Sequence, residues 1–198
     1  MKKKIVVKPE QGKLMVYSST ATMVTCKEGD RENIITITFV APIATSPLQV
    51  MISINKHRFS HDIILHTGNF VINMPGPDLA FETQYCGRRS GSQYDKFKEM
   101  KLTSIPAQKV DSPLIEECWG HVECKVIGTY DAGSHTVFFG EIVAASCTEG
   151  AFDLERNRVN LGEGEEYTQI LQFLGGRTYG ILERFVEVPL DREPGEEG

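Results

Sequence analysis

A polar segment over residues 86–97 contains the side chains best suited to binding a small ligand. Its two glycines, Gly87 and Gly91, would let the backbone approach a bound group closely. The hydroxyl groups of Ser90 and Ser92 can bond phosphate or ring oxygens. Positive charge is supplied by Arg88, Arg89 and Lys96. The segment is too polar for a core element, and it predicts a ligand-binding loop.

Two upstream segments place similar groups beside apolar runs. The first is Asn33-Ile34-Ile35-Thr36, and the second covers residues 56–61. Ser60 is predicted to cap a helix that continues to His66 and ends near Gly68. Free backbone N–H groups and the positive end of the helix dipole favour an anion at such a helix start. We therefore expect a small anion at the second segment.

The elements that must position these residues are mostly strands. Apolar and β-branched runs predict strands over residues 14–17, 22–26, 33–40, 48–54, 69–74, 120–130 and 136–146. Turn-forming residues at 28–30 and 131–135 predict that two pairs of these strands form hairpins. The pattern predicts a mainly β fold with short helices, and this number of strands favours a barrel.

Composition and charge narrow the class of protein. With 198 residues, 40% of them hydrophobic, the chain can form a single domain over residues 1–190, followed by a flexible charged tail over 191–198. No window approaches the roughly 18 to 20 apolar residues that cross a bilayer, so we expect no membrane and a cytoplasmic location. The net charge of −6 argues against nucleic acid as a partner. A small basic pocket around Arg58 or Lys96 is still compatible with an acidic surface.

Cysteines and histidines give no metal or disulfide pattern. The five cysteines are odd in number and contain no Cys-x-x-Cys pair, so we predict buried free thiols, with a reactive thiol at Cys86 as the alternative. His61 and His66 are five residues apart and do not share a helical face, which disfavours a metal site. The loop-like glycines at 162–164 lack the third glycine of a dinucleotide fingerprint.

The order of these segments resembles the flavin reductase-like family, FMN-binding split barrels that include flavoredoxins. The resemblance spans residues 16–179. Its parts are Asn33 to Phe39, Pro47 to Ile54, Arg58 to Ile64, Thr67 to Asn73, Cys86-Gly87, Ser90-Gly91, Asp95-Lys96-Phe97, Glu123-Cys124 and Phe139 to Val143. Each part is a weak signal alone, and the ordered set is a strong one.

The resemblance implies FMN bound without a Rossmann fold, against the barrel and across the interface of a homodimer. It implies that the flavin ring or ribityl chain meets Asn33, Ile35 and Thr36, with Phe39 near the ring system. It implies that the phosphate meets Ser60, with Arg58 and His61 beside it. The remaining residues expected to bind the cofactor are Ser90 in the polar loop, Lys96 near the flavin's polar edge or phosphate, and His135 at the turn between the long strands.

Each assignment has a structural alternative. Asn33 could simply finish the preceding turn, Ser60 could be only a helix cap, Lys96 could be a solvated surface charge, and His135 could be an exposed turn residue. Near the C-terminus, Tyr167, Phe173 and Tyr179 could cover the flavin, reach the other subunit or belong to the core. Trp119 is expected in the core or at an interface.

The predicted function is that of an FMN-dependent oxidoreductase. NADH or NADPH would deliver hydride to the flavin, and the reduced flavin would pass electrons to a further acceptor. No catalytic side chain is required, because the cofactor carries the redox chemistry. The alternative is a flavoredoxin-like electron carrier that protein partners reduce. A split-barrel binding protein without flavin chemistry is a third reading, and it predicts no flavin after expression.

Overall fold

The computed structural model describes residues 4–6, 8–12, 16, 19–155, 157–160 and 169–182. Its helices are α1 (Pro9–Gly12), α2 (Phe59–Thr67), α3 (Ala80–Arg88) and α4 (Lys96–Met100), with a 3₁₀ turn at Pro77–Leu79 before α3. Three predictions lie outside the described residues: most of the strand over 14–17, the loop at 162–166 and the tail over 191–198.

The strands form one large sheet and three small ones. The strands of the large sheet are β2 (Thr22–Glu28), β3 (Arg31–Ile37), β4 (Val40–Thr45), β5 (Leu48–Asn55), β6 (Asn69–Met74), β9 (Gly120–Ala132) and β10 (His135–Cys147). The short strands are β1 (Ser19–Thr20), β7 (Ser104–Ile105), β8 (Leu114–Ile115), β11 (Phe152–Asp153), β12 (Arg158–Val159), β13 (Leu171–Gly175) and β14 (Thr178–Ile181). Both predicted hairpins are present, as β2–β3 and as β9–β10.

The large sheet is antiparallel and has the order β3-β2-β6-β9-β10-β5-β4. The predicted mainly β class with short helices is confirmed, and the fold is that of a split barrel. Among the described strands, the backbone ladder does not close, because β3 and β4 are its two edges. The sequence did not predict β4, since Pro42 reads as a break. An edge strand tolerates proline because the missing N–H faces away from its single neighbour.

Two hydrophobic clusters lie on opposite faces of the β2–β3 hairpin. The cluster inside the barrel includes Ile35, Ile52 and Phe138, and the cluster beneath α3 and α4 includes Ile34 and Phe97. Successive residues of a strand point to opposite faces, so Ile34 and Ile35 enter different clusters. Covering both faces in this way explains the continuous apolar run in β3. It also brings α3 and α4 against the strand that begins the candidate site.

The start of α2 differs from the prediction, and its end agrees. The helix ends at Gly68, whose φ of 68° is left-handed as a C-cap glycine requires. At the start, the N-cap is Arg58, without a side-chain cap, and Ser60 is already the second helical residue. The turn begins earlier because Asn55 Oδ1 accepts the His57 N–H at 3.0 Å. The prediction of Ser60 as a cap is therefore wrong.

The polar segment over 86–97 is only partly a loop. Residues 86–88 complete α3 and residues 96–97 begin α4, which leaves 89–95 as the loop proper. Cys86 is fully buried, and burial raises the pKa of its thiol to about 12. A thiol with that pKa carries almost no thiolate at neutral pH, so the structure argues against a reactive Cys86. Cys26, Cys118 and Cys124 are also buried and free, whereas the free Cys147 is exposed.

Candidate functional site

A small cavity of about 60 Å³ lies where β3, the start of α2, the end of α3 and the loop 89–95 meet. Six residues predicted for the site line it: Asn33, Ile35, Arg58, Ser60, Ser90 and Lys96. They come from the three polar segments of the sequence, which the fold brings together. Gly87, Gly91 and Arg89 complete much of the remaining wall.

Asn33 and Ser60 form a buried pair in this cavity. The Asn33 Nδ2 donates to Ser60 Oγ at 2.6 Å, and the two residues are 3% and 1% exposed. Asn33 lies within β3 opposite Cys26, so it does not merely finish the turn. Because Ser60 Oγ accepts from Asn33, its own O–H is left for the neighbouring Cys26 sulfur or for a ligand oxygen.

Gly91 fixes the loop directly on the Asn33 side chain. A Cβ atom at position 91 would lie 2.0 Å from Asn33 Oδ1, so only glycine allows this approach. Arg31 holds the same turn from outside, because its guanidinium donates to the Gly91 carbonyl at 2.8 Å and lies 4.2 Å over the Phe59 ring. The sequence did not identify this role of Arg31. Its place at the start of β3 gave no local signal.

Lys96 is buried rather than solvated. The residue is 4% exposed, and its ammonium donates to the backbone carbonyls of Ile34 at 2.5 Å and Cys86 at 2.8 Å. The side chain therefore joins β3 to α3 and keeps one N–H for the cavity that it lines. Burial lowers the pKa of Lys96 to about 8. The alternative of an exposed surface lysine is wrong.

Arg58 is the cation left for a ligand. The residue is exposed and lines the small cavity, and its guanidinium makes no hydrogen bond or ion pair with any residue in the described part of the chain. Arg88 and Arg89 are engaged elsewhere. Arg88 donates to the Gly176 carbonyl at 3.0 Å, and the Arg89 guanidinium lies 5.8 Å from the Tyr85 ring and 5.3 Å from the Tyr94 ring.

A second cavity, of about 210 Å³, adjoins the first and shares Ile35, Arg58 and Gly87 with it. Its predicted residues are Ile35, Thr36, Phe39, Arg58 and His135. The rings of Phe39 and His135 lie 6.0 Å apart at one side. The cavity therefore exposes part of β3, with the Phe39 and His135 rings and the Arg58 guanidinium at its border.

The packing of Thr36 explains why Gly87 borders both cavities. The Thr36 hydroxyl donates to the Thr83 carbonyl of α3, so it is already used inside the protein. A Cβ atom at position 87 would lie 3.0 Å from Thr36 Cβ. The glycine thus allows α3 to lie close to β3, and Thr36 offers its methyl surface more than its hydroxyl to the cavity. Ser53 and Asn55 are further lining residues that the sequence did not identify.

His61 lies apart from both cavities. Its ring bonds Asp62 Oδ1 at 2.8 Å and Thr136 Oγ1 at 2.9 Å, and it contacts the Phe138 ring edge-on. Successive helical residues point about 100° apart, so Ser60 and His61 cannot face the same cavity. His61 instead joins α2 to β10, and the structure does not bring it to the other predicted site residues.

The C-terminal aromatic residues also lie outside the two cavities. Phe173 and Tyr179 pack on each other within the β13–β14 hairpin, and the Tyr179 hydroxyl donates to Gln84 Oε1 at 2.8 Å. The hairpin therefore covers the outside of α3. Trp119 is partly buried beside β6, where its backbone N–H donates to Met74. Tyr167 is outside the described residues.

A second buried polar group, which we term the internal polar cluster, comprises Asn69, Asn73, Ser112 and Glu123. The Glu123 carboxylate accepts the backbone N–H groups of residues 108 and 109 at 2.9 and 2.7 Å. Asn69 Oδ1 accepts from the Ser112 hydroxyl at 2.6 Å, and Asn73 Oδ1 accepts the N–H of residue 115 at 2.9 Å. These side chains fasten the segment before β9 to the barrel.

Among the residues that the structure describes, no three His, Cys, Asp or Glu side chains are grouped so that they could hold a metal ion. Within the same residues, every helix is too short or too polar to cross a membrane.

The fold belongs to the class of split barrels, and comparison of sequences shows the family. Residues 14–161 match the model of the flavin reductase like domain. The chain therefore belongs to the flavin reductase-like family, as its motifs predicted. An uncharacterised protein of Archaeoglobus fulgidus is 32% identical over 114 residues, which are 58% of this chain and 64% of that protein. The reductase component of an FADH2-dependent resorcinol hydroxylase of Rhizobium is 25% identical, with 67% and 73% covered.

Solved structures agree with this fold. Flavoredoxin of Desulfovibrio vulgaris (Miyazaki F) superposes with a TM-score of 0.80 at 23% identity, covering 96% of this chain and 98% of that one. The FMN-binding protein of Thermus thermophilus gives a TM-score of 0.80 at 20% identity, covering 96% and 100%. At these identities the likeness establishes the fold. Together with the family, the reductase relatives support a flavin-related oxidoreductase.

Proposed function

We propose that this chain binds FMN in the two adjoining cavities and works as an NAD(P)H-dependent flavin oxidoreductase. One observation carries the proposal. Nine of the ten predicted site residues line the two cavities, all except His61, although they were chosen from separate parts of the sequence. The small cavity would take the phosphate, and the larger one would take the flavin ring.

The chemistry of the small cavity fits a phosphate. Its volume of about 60 Å³ equals the share of about two liquid waters, which is too little for a tricyclic ring. Ser60 and Ser90 offer hydroxyl groups, and Arg58 offers a guanidinium that no described residue pairs with. Gly91 brings the loop backbone close to Asn33 and narrows the space. A compact anion with several acceptor oxygens satisfies these groups together.

The larger cavity supplies surfaces for a flat ring. Ile35 and the methyl group of Thr36 would contact its apolar part, while Phe39 and His135 would lie along its border. Lys96 lines the small cavity and not the larger one, so its ammonium, which is tied to β3 and α3 and keeps one N–H, would lie beside the phosphate. The bound flavin would supply the redox chemistry between NADH or NADPH and an acceptor.

The exposed apolar edge of the barrel supports the expected homodimer. Phe39, Ile43 and Leu48 are 39%, 43% and 55% exposed, and they lie on or beside the edge strand β4. An edge strand with exposed apolar side chains favours pairing with another chain. A second copy at this edge would lie beside the larger cavity, which Phe39 borders. Light scattering after gel filtration tests this expectation, and a monomeric mass at micromolar concentration would contradict it.

The fold also favours a second function, that of an electron carrier that keeps FMN and exchanges electrons with protein partners. The observation in its favour is the full-length structural match to a flavoredoxin. The same residues would bind FMN in either case. The difference lies in whether the exposed ring face admits nicotinamide.

Anaerobic titration distinguishes the two functions. The purified chain is loaded with FMN, NADH and NADPH are added separately, and the visible absorption of the flavin is followed. We expect rapid bleaching with one of the two nucleotides, which would identify the donor. A bound flavin that stays oxidised with both nucleotides, and is reduced by a chemical donor, would favour the carrier. Failure to bind FMN would contradict both functions.

A further inference from the structure

An open groove near the candidate site has no part in FMN binding as proposed above. It has a volume of about 680 Å³ and lies on the other side of the loop 89–95. Its walls are the β2–β3 turn, the loop, α4 and the segment that leads to Ser104. Small-molecule sites typically have volumes of about 300–1,000 Å³, so the groove is large enough for a nucleotide.

One thin wall separates the groove from the small cavity proposed for the phosphate, which we term the phosphate cavity. Gly91 lines both of them, and Arg31 closes the wall by bonding the Gly91 carbonyl and covering the Phe59 ring. Phe59 itself lines the phosphate cavity. A ligand whose first phosphate sits beside Ser60 would therefore reach the groove by crossing at Arg31. A second phosphate would meet that guanidinium at the crossing.

Two ammonium groups in the groove can contact an anion. Lys98 and Lys101 are exposed, and neither ammonium bonds any residue in the described part of the chain. Two of the three carboxylates in the wall are already engaged: Glu32 pairs with Lys27 at 3.2 Å, and Asp95 accepts the N–H of residue 98 at 3.1 Å. The third is Asp30, in the turn.

The groove also contains an aromatic surface. Tyr94 lines it, and the Arg89 guanidinium lies 5.3 Å from the Tyr94 ring. Nucleotide bases stack on tyrosine and arginine faces of this kind. An aromatic face, two free ammonium groups and a guanidinium at the crossing match the parts of an adenosine phosphate.

We propose that this groove binds the adenosine phosphate half of a dinucleotide. That half could belong to FAD, taken as an alternative to FMN, or to the NAD(P)H donor. The inference rests on the proposed function, since it starts from a flavin phosphate beside Ser60. It adds a specificity site made by Arg31, Tyr94, Lys98 and Lys101.

The test removes the two free cations without straining the backbone. Lys101 has a φ of 53°, which asparagine tolerates, so the variant is Lys98→Gln with Lys101→Asn. Lys125→Gln, at an exposed lysine of β9 that lines neither the cavities nor the groove, is the matched control. Dissociation constants of FMN and FAD are measured by titration calorimetry. The affinities of NAD⁺ and NADP⁺ are measured in the same way on the FMN-loaded, oxidised protein.

We expect the double variant to weaken either FAD or one nicotinamide dinucleotide by about three- to tenfold, as loss of two exposed charge contacts predicts. FMN affinity should change less than about twofold, because FMN does not reach the groove. The dinucleotide whose affinity falls in the double variant is the one whose adenosine phosphate binds the groove. Ser104→Trp, which fills the groove at an exposed position without removing charge, should weaken the same ligand.

Two failures have separate meanings. If the wild-type chain binds FMN and both variants leave FAD, NAD⁺ and NADP⁺ affinities unchanged, the groove inference is overturned and the proposed function stands. If the wild-type chain does not bind FMN, the proposed function and this inference fail together. An equal loss of affinity in Lys125→Gln would show a general charge effect and would also overturn the groove site.

Discussion

The candidate site and the internal polar cluster contain similar buried polar residues. They differ in whether those residues bond only to the protein or also border a space for a ligand. Asn33 and Asn73 are 3% and 0% exposed, and each bonds other polar groups of the protein. In the internal polar cluster, Asn73 Oδ1 and the Glu123 carboxylate accept N–H groups of the segment before β9, and Asn73 Nδ2 donates to the Met23 carbonyl. Asn33 instead bonds Ser60 at the wall of a cavity, where the Arg58 guanidinium is left for a ligand.

The difference shows that burial of a polar residue is not enough to assign function. A buried amide costs free energy unless it is hydrogen-bonded, so both groups must be satisfied within the fold. What separates them is whether donors and charge are left over beside an open space. The internal polar cluster stabilises a loop, whereas the candidate site keeps unused donors. Substitutions should therefore affect stability in one place and FMN affinity in the other.

The largest effect on FMN affinity is expected from Gly91→Ala. A Cβ atom there would lie 2.0 Å from Asn33 Oδ1, and Asn33 cannot move freely because it is buried and bonded to Ser60. The loop must shift out of the cavity, so we expect FMN affinity to fall by about 30- to 100-fold, or 2–3 kcal/mol. Flavin fluorescence quenching measures the dissociation constant.

Gly128→Ala is the control for this substitution. A Cβ atom at position 128 would meet the Phe139 ring at 3.7 Å, an ordinary contact, and the site lies on β9 away from both cavities. FMN affinity should stay within about twofold of wild type. Equal affinities of Gly91→Ala and wild type would show that the loop does not shape the phosphate cavity.

Most strands of the large sheet were predictable from sequence because they depend on local pattern, and the gathering of the site was predictable through the family resemblance. The run from Asn69 to Met74 and the two long strands around Gly133 have β-branched or apolar residues bounded by turn signals, and the structure forms them there. The ordered motifs then brought Asn33, Ser60 and Lys96 to one place through their family resemblance.

What failed depended on contacts distant in sequence. The capping role of Ser60 was wrong because Asn55 starts the turn earlier, and the burial of Lys96 depends on the carbonyls of Ile34 and Cys86. His61 was placed beside the phosphate by adjacency to Ser60, although the helix turns it toward Thr136. Arg31 was overlooked because its partner, the Gly91 carbonyl, is 60 residues away.

A pair of serine substitutions compares the two polar groups directly. Ser60→Ala removes the hydroxyl that accepts from Asn33 and faces the cavity, and Ser112→Ala removes the one that donates to Asn69 Oδ1. We expect Ser60→Ala to lower FMN affinity about tenfold, and Ser112→Ala to lower the free energy of unfolding by about 1–2 kcal/mol without changing FMN affinity.

Urea unfolding without ligand and FMN titration of the folded variants separate these effects. Ser60→Ala also leaves the Asn33 amide without its acceptor, so some loss of stability is expected in both variants. The distinguishing quantity is FMN affinity. If Ser112→Ala lowers it as much as Ser60→Ala does, the internal polar cluster belongs to the binding site and the distinction between the two groups fails.

The smallest effect concerns the charge of Lys96. Burial lowers the pKa of its ammonium from 10.5 to about 8, so the group loses its proton as pH rises through about 8. The positive charge beside the proposed phosphate is present at pH 7 and mostly lost by pH 9. We therefore expect FMN affinity to fall about threefold between these pH values, as loss of one partly screened charge contact predicts.

Lys96→Met, which lacks the charge throughout, should bind FMN with nearly constant affinity over the same range. A parallel decline in the variant would assign the pH dependence to another group and would leave Lys96 only its role of joining β3 to α3.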